Sequence, residues 1–187
     1  MAVLPIYSCF HPVLKKKTEP VTDFDNNLRQ LVDDMFESMY YSDGIGLAAN
    51  QVGVSKSIIT IDANSDKNDI KFPILTMINP EIITFSDGVV DYQEGCLSVP
   101  KFYEDVTRPK SIQVKYLDLD AKEHILDADD ILARVIQHEF DHLNGILFYE
   151  KLSPIRRTLA KSKLNKIKQG KVRPDYQMVN QDGKLIQ

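Results

Sequence analysis

His138-Glu139-Phe140-Asp141-His142 is an H-E-x-x-H pentapeptide set in an apolar helical pattern. Residues i and i+4 of a helix lie on one face, so the two imidazoles can hold one metal ion. Glu139 follows the first histidine, where its carboxylate reaches a water on that ion and suits a general base. Two histidines are not a complete site, because a catalytic zinc-type centre takes a third protein ligand and keeps one position open. The metzincin pattern needs a histidine at position 148, which is Phe148, and the thermolysin pattern needs a downstream glutamate, while residues 155–172 contain no acid. The remaining soft donors are Cys9, Cys96, His11 and His124. Cys96 is the best of them. It lies in Gln93-Glu94-Gly95-Cys96-Leu97-Ser98 at the end of a predicted strand, and Gly95 lets the backbone approach closely. Cys9 and His11 read as structural.

A third stretch, Gly44-Ile45-Gly46-Leu47-Ala48-Ala49-Asn50-Gln51-Val52-Gly53, imitates G-x-G-x-x-G. Its third glycine position is Ala49, and it follows a helix rather than a strand, so it is not read as a dinucleotide site. Its small residues allow close backbone approach, and Gln51 is set to donate an amide hydrogen bond into a cleft.

These residues need elements to hold them. Leu28, Leu31, Val32, Met35, Phe36 and Met39 recur at helical spacing, with Asp23 and Asp25 before them and Gly44 after. Residues 57–62 and 75–78 read as strands, and Asn79-Pro80 as a break before a further strand over 81–85. Ser86-Asp87-Gly88 turns the chain into 89–92, and Ile112, Val114 and Tyr116 alternate as a strand. Asp129 or Asp130 caps the helix bearing the histidines, which ends at Gly145, and Pro154 opens a last helix closed by Gly170. The order is helix, strands, helix, helix, which indicates α+β rather than alternating βαβ. Residues 1–170 are expected to form one catalytic domain, including a basic C-terminal helix over 153–170, with a polar, frayed tail over 171–187.

With 187 residues, the chain can bury a core without disulfide staples, and its two cysteines are too few for a disulfide framework. Hydrophobic residues at 43% and charged residues at 27% exclude collagen-like and mainly disordered classes. No stretch approaches a membrane-spanning length, and residues 1–10 lack the pattern of a signal peptide. The reading is cytoplasmic, an organelle being compatible if a transit peptide has been removed. Charge is uneven: residues 1–153 carry a net −11, and residues 154–174 carry eight basic residues and no acid. Such a basic segment on an acidic body suits a polyanionic partner or a plain solvated helix.

Gly44-Ile45-Gly46-Leu47-Ala48-Ala49-Asn50-Gln51, Glu94-Gly95-Cys96-Leu97-Ser98 and Gln137-His138-Glu139-Phe140-Asp141-His142, in that order, resemble the three motifs of the peptide deformylases. The resemblance spans nearly the whole chain. It implies partly open antiparallel β-sheets packed around a central metal-binding helix, with an N-terminal and a C-terminal helix. It implies removal of the formyl group from the N-terminal formyl-methionine of new proteins, with release of formate. Cys96, His138 and His142 would hold one divalent ion, Fe(2+) physiologically, with zinc, nickel or cobalt replacing it on purification. Glu139 would be the general base, and the Gln51 amide and Leu97 N–H would take the developing oxyanion. Ile45, Gly46, Ile131, Val135 and the stem of Arg134 would contact substrate, and Glu94, Arg108 and Asp141 would fix the ligand loop against the metal helix. Tyr103 stands where some members carry an arginine near the substrate backbone. Arg134 stands near a position that is aliphatic in some members, and this second difference suggests a more polar pocket lip. In related bacterial enzymes the basic C-terminal helix docks on the ribosome, and Lys161, Lys163, Lys166 and Lys168 suit that role here. Neither a membrane nor DNA is an expected partner. Two other readings fit the same triad: an amidohydrolase or endopeptidase for other substrates, and a non-catalytic metal module. A purely structural site has no need of Glu139.

Overall fold

The computed structural model describes residues 1–64 and 72–186. In chain order the strands are β1 (Ile6–Tyr7), β2 (Gly46–Ala48), β3 (Ile58–Ile61), β4 (Leu75–Phe85), β5 (Val89–Cys96), β6 (Val99–Pro109), β7 (Ser111–Leu117), β8 (Glu123–Asp129), β9 (Met178–Val179) and β10 (Leu185–Ile186). The helices are α1 (Asn26–Tyr41), α2 (Asp130–Leu143) and α3 (Pro154–Lys168). None of these helices is long and apolar enough to cross a membrane.

The three isoleucines of β3 are explained by burial on both faces, while the buried Thr60 hydroxyl donates to the Leu47 carbonyl at 3.3 Å. Ile59 and Ile61 pack toward α2, against Ala133, Val135 and Ile136, while Ile58 packs toward α1, against Val32, Met35 and Met39. Strands β2-β3-β4-β7-β8 form one antiparallel sheet in that order. Helix α2 is therefore central, with its apolar residues against this sheet. Helix α1 begins where the Asp25 carboxylate accepts from the Leu28 N–H at 2.9 Å, and α3 where Ser153 accepts from Arg156 with Pro154 in the first turn. Helix α2 ends at Asn144, and Gly145 follows with φ +71°. A Cβ there would lie 2.8 Å from the Lys15 carbonyl carbon, so the position needs glycine.

Strands β5 and β6 form a separate antiparallel pair, with Val90 opposite Arg108 and Gly95 opposite Tyr103. A third core under this pair joins Val99, Phe102 and Val106 to Phe148, Leu152, Ala160 and Ile167. The α+β arrangement of antiparallel sheets around the histidine helix, with a helix before it and one after, is thus observed.

Two local expectations fail. Asn79-Pro80 does not break the chain: β4 runs through it with a register shift between Ile78 and Glu81. Asn79 takes φ +50°, and its side chain pairs with both the N–H and the carbonyl of Val21 at 2.8 and 2.9 Å. The bulge thus absorbs the proline, whose missing donor the ladder does not need. The tail is not frayed either. Strand β9 pairs parallel with β1 and antiparallel with β10, and Met178 is buried beside Ile6.

Candidate metal centre

Side chains of Cys96, His138 and His142 converge so that one donor atom from each lies within 4.8 Å of the others. Helical spacing brings the two rings to 5.1 Å between centroids. Cys96 arrives from the end of β5, its Sγ 3.2 Å from His142 Nε2. His138 turns Nδ1 toward Glu94 at 2.9 Å, which leaves Nε2 as the free donor. The set comprises one soft sulfur and two imidazole nitrogens, with no fourth His, Cys, Asp or Glu donor among the described residues. That chemistry fits a divalent transition ion with an open position.

Glu94 is the hub behind this set. Its carboxylate accepts from Arg108 Nε at 2.6 Å and Nη2 at 2.9 Å, from Arg134 Nη1 at 2.6 Å, and from His138. Burial works against its charge, but Arg108 and His138 outweigh it and hold the carboxyl well below the usual range. Arg108 also donates to Asp141, which meets Lys151 Nζ at 3.2 Å. Glu94, Arg108 and Asp141 are therefore one buried network tying β5, β6 and α2 together, and not three separate surface charges.

Arg134 belongs to that network, which sequence reasoning missed. Its guanidinium also donates to the carbonyls of Val106 and Val90 at 2.7 Å each, and it lies over the Tyr92 ring at 5.3 Å. Arg134 lines the cleft, but its charged head is buried against these acceptors and makes no exposed polar lip. Asn50, next to Gln51, carries no signal in the sequence, yet its amide donates to the His142 carbonyl at 2.6 Å.

Above the triad opens a cleft of about 590 Å³. Gln51 and Glu139 line it, together with Leu97 and the expected substrate contacts Ile45, Gly46, Ile131 and Val135. Gln51 Oε1 accepts from the Ala48 N–H at 2.8 Å, and its Nε2 faces Ser98 Oγ at 3.3 Å and Cys96 Sγ at 3.6 Å. Glu139 is buried, and its Oε2 has no hydrogen-bond partner among the described residues. Burial pushes this carboxyl up to about 7. Gly46 explains how β2 comes so close: a Cβ there would lie 2.7 Å from Glu139 Oε1 and 2.8 Å from Val135.

The other soft donors lie elsewhere. His124 pairs with Asp118 at 2.6 Å, and His11 caps a short turn by accepting from the Val13 N–H. Cys9 is fully buried in the third core, and burial pushes its thiol up to about 12.

The family model described as polypeptide deformylase matches residues 3–158. A peptide deformylase of Cellvibrio japonicus is 49% identical over 166 residues, covering 89% of this chain and 96% of that protein. The crystal structure of peptide deformylase from Ehrlichia chaffeensis is similar, with a TM-score of 0.82 and 40% identity over 91% of this chain and 99% of that one. The same enzyme solved in complex with actinonin gives a TM-score of 0.82 over 91% and 98% of the two chains.

Proposed function

This chain belongs to the polypeptide deformylase family, and from that premise we propose how its residues hydrolyse the N-formyl group of formyl-methionyl nascent chains. One observation carries the reading above all: a buried carboxylate with a free oxygen, Glu139, stands beside three converging soft donors at the floor of an open cleft.

Cys96, His138 and His142 are the residues that would hold the ion, and Fe(2+) is the physiological metal we propose. When bound, the ion supplies Lewis acidity, which moves the pKa of a water from about 15.7 toward about 7. Glu139 takes the proton of the attacking water as its oxygen bonds to the formyl carbon. The Gln51 amide and the Leu97 N–H donate to the carbonyl oxygen as it gains charge. Glu139 then returns the proton to the methionine nitrogen as the C–N bond breaks, leaving formate and a free amine. Glu94 accepts from His138 Nδ1–H and so fixes the tautomer whose Nε2 can bind metal.

Substrate choice follows from the walls. The formyl carbon bears only hydrogen, and the narrow space between Gly46 and Glu139 disfavours anything larger. Ile45, Ile131, Val135 and the stem of Arg134 offer an apolar lining for the unbranched methionine side chain. The test is formate release from an N-formyl-methionyl peptide by anaerobic ferrous protein, beside its Glu139→Ala variant and an N-acetyl peptide. Release confined to the wild type and the formyl substrate supports the reading. Equal cleavage of the acetyl peptide, or full activity of the variant, defeats it.

Helix α3 supports a second, separable proposal, that the enzyme meets ribosomal RNA in the cytoplasm. Arg156 is engaged with Glu104 and Asp105, while Lys161, Lys163, Lys166 and Lys168 are exposed along the helix, Lys163 and Lys168 lying over the Phe102 and Phe10 rings at 5.9 and 5.8 Å. Binding to ribosomes should weaken steeply between 50 and 200 mM salt, with loss by roughly powers of ten if several phosphates are neutralised. Salt-independent or absent cosedimentation refutes it.

A further inference from the structure

The turn that carries Cys96 and Leu97 is gripped by both ends of the chain. From the N-terminal side, the backbone N–H of Cys9 donates to the Ser98 carbonyl at 2.8 Å. From the C-terminal side, the Tyr176 phenol donates to the adjacent carbonyl, that of Leu97, at 2.7 Å. The two grips have a common base. β1 and β9 pair in parallel, with Ile6 N–H donating to Gln177 and Ser8 N–H to Val179, at 2.9 and 2.8 Å. Strand β10 covers the other edge of β9, and Met178 is buried in the core shared with α1. Tyr176 therefore hangs from an anchored strand. Burial raises its phenol pKa, so the proton that makes this bond is retained.

The same segment reaches the cleft itself. Pro174, Asp175 and Tyr176 line it together with Gln51, Cys96 and Leu97. These three residues lie beyond the stretch matched by the family model, which ends at residue 158. We propose that the C-terminal segment over 171–186 is a working part of this active site, and that Tyr176 is a positioning residue for the Leu97 backbone. By holding the Leu97 carbonyl, it limits rotation about that residue and so keeps the Leu97 N–H aimed at the reacting carbonyl. The proposal rests on the oxyanion role given to Leu97 above.

Tyr176→Phe removes one hydroxyl and keeps the ring, so folding should survive. For a formyl-methionyl peptide, kcat should fall about three- to ten-fold, the effect of one net hydrogen bond, with KM within about twofold. Amide hydrogen exchange at Leu97 and Ser98 should quicken while that of β3 is unchanged, and metal content should stay at that of the wild type. Tyr176→Leu removes the ring as well. It should reproduce the kcat loss and add a rise in KM for peptides extending beyond the methionine. Unchanged kcat and unchanged exchange at the turn overturn the proposal. So does a loss of activity that merely tracks a loss of bound metal or a general rise in exchange, since that marks a structural role alone. If the wild type releases no formate, the deformylase reading fails. The exchange at Leu97 and Ser98 then still decides whether Tyr176 holds the turn.

Discussion

Arg108→Met tests the buried charges behind the ligand set. The Arg108 side chain is 3% exposed, donates twice to Glu94 and once to Asp141, and so joins β6 to β5 and α2. Methionine fills much of the same volume without charge. Glu94 would keep Arg134 and His138, but Asp141 would be left with Lys151 alone. Breaking a buried pair from one side costs about 3–5 kcal/mol, because the partner stays buried with its charge uncompensated. That is a large share of the ~5–15 kcal/mol by which domains are stable. For a chain of this size each kcal/mol moves Tm by about 2–4 °C, so the midpoint should fall by about 6–20 °C. Scanning calorimetry of the metal-free protein measures this directly. Metal affinity, read by competition with a chromophoric chelator, should fall about 10- to 100-fold as His138 and Cys96 lose their common support. Arg108→Lys should recover only part of both losses, since an ammonium cannot reproduce the two-pronged contact with Glu94. A Tm within about 2 °C of wild type together with unchanged metal affinity would show that Arg108 does not hold Glu94 and Asp141 in place, whatever the effect on turnover.

Three further outcomes are expected. Gly46→Ala places a methyl 2.7 Å from Glu139 Oε1, so turnover should fall by about 100-fold or more while bound metal is retained; normal turnover means that β2 can yield. Gln51→Leu should lower kcat by about 100- to 1000-fold with metal still bound, the usual cost of one oxyanion donor, and a change confined to KM would remove that role. Asp118 is held down to about 2, first by the hydrogen bond from His124 and then by the backbone N–H of Lys122. The folded chain then binds fewer protons than the unfolded one, so this contribution to stability is complete above the ordinary value of 3.8 and is lost as pH falls through about 2. Carbon-13 NMR of His124→Phe should show the Asp118 midpoint moved upward, and an unmoved midpoint excludes His124 as the cause.

Parts of the fold that depend on local periodicity were legible in the residues. Helices α1 and α3 begin at the cap signals of Asp25 and Ser153-Pro154, and α2 displays its two histidines by i,i+4 spacing alone. Cys96 stands out among four soft donors by its place at a strand end beside Gly95. Long-range partners were not legible. The resemblance alone makes Arg134 a pocket-lip residue, because the acceptors that bury it lie 28 to 44 residues away along the chain. Strand β6 was missed because it contains Pro100, Pro109 and several charges, and is held by pairing with β5. The tail read as frayed because its polar composition gives no sign that Met178 will find Ile6 at the opposite end of the chain. Asn79-Pro80 read as a break because a bulge relies on the Val21 backbone, 58 residues away.

In the mechanism proposed here, one sulfur and two nitrogens bind a single ion and leave a coordination position for solvent and substrate. X-ray absorption of the anaerobically metallated protein reads that shell directly. The zinc-loaded form should show one sulfur at ~2.3 Å, two imidazole nitrogens at ~2.0–2.1 Å, and a light oxygen scatterer that formate or a hydroxamate displaces. Cys96→Ser should remove the sulfur shell entirely. Two sulfurs, a third histidine, or a shell that no small ligand perturbs would contradict it.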